Sequence, residues 1–180
     1  MPQCPSAIRS TLSVMEKTAP PLLLIDVDGP LNPWRAKRIP AGYAVHHIDG
    51  FDVRLNPDHG PMLMRLATRF QLTWCTTWNE LANSEIGPRI GLPSLPVLHV
   101  HRPARQLGVR PQLFWKLEQV LEAVGAHPFA WIDDEVSRRE RAVLRGRQAH
   151  LRFVSPGVGL RQTDLDEVVA WAEGIASSAP

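Results

Sequence analysis

Four large apolar residues in succession, Leu22-Leu23-Leu24-Ile25, stand between Pro20-Pro21 and Gly29-Pro30. An unbroken apolar run suits a parallel strand covered on both faces, whereas a half-exposed strand alternates apolar with polar. Similar short runs recur at 71–76, 97–100, 129–132 and 150–154, so five strands are expected. Helical periodicity fills the intervals. Asn56-Pro57-Asp58 starts a helix to about Phe70, with Met62, Leu63, Leu66 and Phe70 on one face. Trp78 to Ala82 opens a second helix, and the Pro/Gly-rich stretch 87–96 breaks the pattern. A third, Pro111 to Val124, carries Lys116 and is closed by Gly125. A fourth runs from about Glu135 to Arg145, and the last from about Thr163 to Ala176. One departure is local: Tyr43–Ile48 and Phe51–Leu55 flank Asp49-Gly50, a two-residue hairpin signal.

Strands alternating with helices predict parallel pairing, right-handed crossovers and helices on both faces, an α/β Rossmann-like five-stranded sheet with a small hairpin flap. With 180 residues, 44% hydrophobic and 21% charged, the chain suits one globular core. That core is expected over residues 20–176. Residues 1–19 read as a disordered extension, with Met15 as an alternative start, and 177–180 as a tail. No apolar run approaches the roughly 20 residues of a membrane span, and no signal-peptide core is present. Cys4 and Cys75 lie in dissimilar contexts, which disfavours a disulfide and fits a reducing cytoplasm. The net charge of +2 does not demand a nucleic-acid partner.

The chemistry gathers where strands end. The first run delivers Asp26 and Asp28, the second Thr76 and Thr77, and the fourth Asp133 and Asp134. In parallel α/β sheets, ligands bind beyond the carboxyl ends of the strands, near a switch in strand order. Aspartates at such turns also cap backbone amides with no further role. Four acids from two strand ends, however, cannot all stay ionised unless a cation or a shared proton relieves them. Oxygen donors of this kind suit Mg²⁺. A Thr76 hydroxyl, the amides after it and a Lys116 ammonium then suit phosphoryl transfer, where positioning and charge neutralisation dominate.

These features together resemble the haloacid dehalogenase (HAD) phosphohydrolase superfamily over roughly residues 20–176. Asp26-Val27-Asp28-Gly29 is similar to its first motif, Thr76 in Trp74-Cys75-Thr76-Thr77-Trp78 to its second, Lys116 to its third and Asp133-Asp134 to its fourth. The resemblance implies Asp26 as nucleophile and Asp28 as acid and then base. Mg²⁺ would be held by the Asp26 carboxylate, the Asp28 main-chain carbonyl and Asp133, with Asp134 in support. Thr76, Thr77 and Lys116 would bind the phosphoryl group of the substrate. Pro30 departs from the Thr or Val common at that position. The intervals after Asp28 and after Thr77 are short, so no large cap domain is expected. Only the 39–55 hairpin would then act as a flap, over an open site suited to extended or macromolecular phosphate esters. Capless relatives include polynucleotide phosphatase and RNA-repair-associated domains.

Two other classes compete with a Mg²⁺-dependent phosphatase: a catalytically idle binding module, and a nucleic-acid-repair accessory. The second would use basic rims at Arg102, Arg105 and Arg110 and at Arg138, Arg139, Arg141, Arg145, Arg147 and Arg152, which serve equally as solvated surface. His99 and His101 share a strand face without a third ligand at metal-site spacing. His46 and His47 lie on the flap. Trp34 and Trp78 follow motif positions and are candidates for the site mouth, whereas Trp74, Trp131 and Trp171 read as core. Cys75 reads as a core thiol.

Overall fold

The computed structural model describes residues 19–103 and 115–177. The expected extension up to residue 18, Arg105, Arg110, the first residues of the Lys116 helix and the tail from residue 178 lie outside the described residues. The described chain is an α/β fold around one parallel sheet. Its elements are β1 (Leu22–Ile25), the hairpin β2 (Ala44–Ile48) and β3 (Phe51–Leu55), α1 (His59–Met64) and β4 (Gln71–Trp74). A π-helical turn, Ala82–Ile86, runs straight into α2 (Gly87–Ile90). Then come α3 (Trp115–Val124), β5 (Phe129–Asp133), α4 (Arg138–Val143), β6 (Ala149–Phe153) and α5 (Gln162–Ser177).

The sheet has four strands in the order β4-β1-β5-β6, all parallel. The expected fifth strand, 97–100, is reduced to a single parallel bridge between Val97 and Trp74. Two hydrogen bonds make it: Trp74 N–H donates to Pro96 O and Leu98 N–H to Trp74 O. The ladder goes no further because the Asn79 side chain takes both backbone groups of Val100, accepting from its N–H at 3.2 Å and donating to its carbonyl at 3.3 Å.

Successive residues of β1 face opposite sides, as the strand period requires. Leu23 and Ile25 join Leu72, Trp74, Ala130 and Ile132 on one face, packed against Leu63, Ile86, Ile90 and Leu165. Leu24 joins Phe129, Trp131 and Leu151 on the other, against Leu117, Val120 and Val124 of α3. Both faces are therefore covered by helices, and no residue of β1 is free to be polar until Asp26. Trp74 and Trp131 are core residues, and Trp171 is partly buried, stacked on Phe70 and His150.

Several helices are shorter than their apolar period suggests. The expected helix to Phe70 ends as α1 at Met64 and continues as turns. The second expected helix starts at Ala82, and Pro88 is accommodated at the start of α2, where a missing N–H costs nothing. The fourth begins at Arg138, set by Ser137 and Glu140 in a capping box. The hairpin is as expected, with Asp49 at φ 50° and Gly50 at φ 81°, the paired left-handed residues of a two-residue turn. Among the described residues no helix is long and apolar enough to cross a membrane.

Candidate active site

Strand β1 lies between β4 and β5, so the chain leaves it to one side and later returns on the other. That arrangement opens a crevice at the carboxyl end of β1. Asp26 follows β1 directly and is 6% exposed; Thr76 follows β4 and Asp133 ends β5, both fully buried. Lys116, in the first turn of α3, reaches in beneath them and is 5% exposed. Its Nζ donates to Asp26 Oδ2 at 2.8 Å and to Asp133 Oδ2 at 2.6 Å. The other Asp26 oxygen accepts Val27 N–H at 2.8 Å, and Asp133 Oδ1 accepts Glu135 N–H at 2.6 Å. Thr76 hydrogen-bonds Asp26 through its side chain.

Asp134 completes an acidic group: Asp26, Asp133 and Asp134 each offer a carboxylate oxygen, and these atoms lie within 4.8 Å of one another. Three clustered hard oxygen donors with no soft ligand among them fit a hard divalent cation such as Mg²⁺. The Asp28 carboxylate stands apart from this group. Asn32 Nδ2 donates to its Oδ1 at 2.8 Å and the Trp78 indole to its Oδ2 at 3.0 Å. Gly29 permits the tight approach of the loop to Asp134. It has φ +89°, and a Cβ there would lie 2.4 Å from the Asp134 Cβ.

The electrostatics follow from burial. Burial raises the Asp26 carboxyl, against the pull of Lys116 and the Thr76 hydrogen bond. Asp133 is pushed up to about 7 by burial, with Lys116 opposing and Asp26 adding to the rise. Asp134 is raised to about 6 by burial and by Asp133. Burial alone would lower Lys116, but Asp26 and Asp133 more than reverse this, so the ammonium stays charged. The result is a buried cation between two carboxylates that hold protons more tightly than usual. Burial pushes the Cys75 thiol well up, so it is a core group and no nucleophile.

A cleft of about 540 Å³ opens over these groups. Asp26, Asp28, Thr77, Lys116 and Asp134 line it, and Thr77 is exposed at its wall. The cleft also takes in residues that sequence periodicity does not single out: Asn32, Phe51, Asp49, Asp52, Trp115 and Glu135. Trp34 and Trp78 do stand at the site. Trp34 donates its indole N–H to Asp134 Oδ2 at 3.3 Å, while Trp78 holds Asp28.

Of the other candidates among the described residues, Arg102 alone lines the cleft. The flap histidines do not line the cleft, and His47 sits 3.3 Å from Asp52 Oδ1 instead. His99 pairs with Glu80 at 3.0 Å. Several arginines are engaged within the protein. Arg152 pairs with Asp164 and Glu167, Arg141 donates to Leu151 O, Arg147 to Gly125 O, and Arg102 pairs with Glu135.

No family model matches the chain, and no curated protein matches it. Among solved structures, the crystal structure of a hypothetical protein from Xanthomonas campestris is similar at 17% identity, with 98% of this chain and 96% of that chain covered and a TM-score of 0.44.

Proposed function

We propose that the chain is a Mg²⁺-dependent phosphatase of the HAD type, hydrolysing phosphomonoesters through an aspartyl-phosphate. The observation that carries this is the convergence of Asp26, Thr76, Asp133 and the buried Lys116 at three adjacent strand ends, under an open cleft. A buried lysine shared by two carboxylates is costly as architecture alone, since apolar residues of the same volume serve stability as well or better. It is useful where charge must be managed during a reaction.

In this reading an Asp26 carboxylate oxygen attacks phosphorus in line, forming the acyl phosphate as the bond to the alcohol oxygen breaks. Asp28 gives its proton to the departing alkoxide, then accepts one from the water that attacks the acyl phosphate. Hydrolysis returns Asp26 and releases inorganic phosphate. The Trp78 and Asn32 hydrogen bonds aim the Asp28 carboxyl at the cleft. Thr76 and Lys116 hold phosphoryl oxygens, and Lys116 offsets the charge that gathers as the pentavalent state forms. Asp26, Asp133 and Asp134 would hold Mg²⁺, with the Asp28 main-chain carbonyl as the resemblance implies. When bound, it supplies positive charge to the phosphoryl oxygens.

The test is hydrolysis of p-nitrophenyl phosphate with and without Mg²⁺, beside Asp26→Asn. Turnover by the natural protein, dependent on Mg²⁺ and lost in the variant, is the expected result. Equal turnover by both proteins would contradict the role of Asp26.

A further inference from the structure

The walls of the cleft carry a pattern that phosphoryl transfer by itself does not require. Trp34, Phe51, Trp78 and Trp115 all line it, together with Leu81. The indoles of Trp34 and Trp78 are tied to Asp134 and Asp28, which holds Trp34 exposed at the mouth and Trp78 half-buried between the mouth and the core. Phe51, beside the hairpin turn, is 64% exposed and meets the Trp78 ring edge-on, with centroids 6.3 Å apart. Trp34 is 49% exposed and Leu81 38%. Exposed apolar groups scattered over a surface are ordinary, but rings gathered in one concave place above a polar floor mark a ligand site.

Charge narrows the ligand further. Asp49 and Asp52 of the flap, with Glu135, add carboxylates to a cleft that already holds Asp28 and Asp134. The cations among its lining residues are both engaged. Lys116 lies between Asp26 and Asp133, while Arg102 sits 2.5 Å from Glu135 and over the Trp115 ring at 4.8 Å from its centroid. With Mg²⁺ held as in the phosphatase reading, the floor would take one phosphate, yet the walls repel a second anionic group.

We infer that the substrate is a single phosphomonoester whose alcohol carries a flat ring and no further negative charge, the ring being held by Phe51, Trp34 and Trp78. Its phosphate half rests on the phosphatase reading above; its ring half rests on the cleft alone. A nucleoside 5′-monophosphate has this chemistry. A sugar phosphate lacks the ring, and an oligonucleotide or nucleoside triphosphate brings charge that the walls oppose. The occupant is thus narrower than the open site alone implies.

Binding is measured by titration calorimetry on Asp26→Asn protein with Mg²⁺, so that no turnover intervenes. The probes are adenosine 5′-monophosphate, ribose 5-phosphate and adenosine 5′-triphosphate. Stacking on aromatic side chains predicts that the monophosphate binds about ten-fold or more tighter than ribose 5-phosphate, and tighter than the triphosphate. Adding Phe51→Ala, a change at an exposed side chain that leaves the fold intact, is expected to bring the ratio of monophosphate to ribose phosphate towards one. Equal affinities for those two probes, or a ratio unmoved in both Phe51→Ala and Trp34→Leu, would overturn the inference. The natural protein separates the two readings. Hydrolysis of both esters at equal kcat/KM keeps the phosphatase and removes the ring site, whereas ring-selective binding with no hydrolysis of any ester keeps the ring site and removes the phosphatase.

Discussion

Lys116 and its two carboxylates tie the stability of the fold to the chemistry proposed for the site. Breaking a buried ion pair leaves uncompensated charge, at a cost of about 3–5 kcal/mol. Lys116→Met is therefore expected to lose stability of that order in denaturant titration. The loss has a pH sign. Burial already raises Asp26 and Asp133, the latter to about 7, against the pull of Lys116. Without the ammonium both rise further. A carboxyl whose folded value is raised stabilises below its unfolded value and loses that contribution as pH climbs through the folded one. The Lys116→Met deficit should thus be smaller in acid and greatest above about pH 7. Asp134 obeys the same rule more gently, being half-buried and raised to about 6. Asp134→Asn keeps an acceptor for Trp34 and is expected to raise Tm by roughly 2–4 °C above pH 6, a gain that disappears in acid. Asp26, Asp28, Thr76 and Asp133-Asp134 were legible because each follows an apolar run, and Lys116 as the lone lysine of its helix, matched to a family motif. Asn32 was not, and Trp34 and Trp78 were legible only as neighbours of motif positions. The two indole bonds, to Asp134 and Asp28, span the fold, and no local period encodes such contacts; the Asn32 bond to Asp28 is local, within the turn that follows β1.

At the scale of elements, the strands followed from their apolar runs and the hairpin from Asp49-Gly50. The segment 97–100 did not, because apolar character gives no account of competition for backbone groups. Asn79 wins both groups of Val100 and stops the ladder. Asn79→Ala removes that competitor and leaves the two groups to find water, at about 1–3 kcal/mol where they are buried. Faster amide exchange at Val100, with β1 and β5 unchanged, is the expected result. Helix lengths were overread for a related reason. Apolar spacing survives through Leu66 and Phe70, but past Met64 the chain closes tighter turns, Leu66 N–H to Leu63 O and Ala67 N–H to Met64 O, in place of a regular helix. Conversely, the Ser137–Glu140 capping box fixes the start of α4, and Ser137→Ala should cost about 1 kcal/mol of stability.

For the whole molecule, burial on both sheet faces makes the site rigid and leaves the flap and loops to shape the cleft. His59 helps to tie these parts together. It is 1% exposed, its Nε2 lies 3.3 Å from Leu160 O and 3.4 Å from the Tyr43 hydroxyl, and its Nδ1 has no partner. Burial lowers its proton affinity, with the Leu160 carbonyl and Asp58 opposing. The folded state therefore resists a proton that the unfolded chain takes up at about 6.5. Stability should fall as pH drops below that value, and less steeply in His59→Gln. The α/β arrangement of one parallel sheet and a small hairpin was legible because alternation of strand and helix leaves few topologies; of the cleft's aromatic walls Trp34 and Trp78 were legible and Phe51 and Trp115 were not, since the four rings assemble from the flap, two loops and α3. The most direct measurement is acid quenching during turnover of p-nitrophenyl phosphate with Mg²⁺, followed by mass mapping of the peptides. A single phosphoryl group on Asp26, absent in Asp26→Asn, is the expected result. Phosphate released with no label at Asp26, at a rate that Asp26→Asn retains, would contradict it.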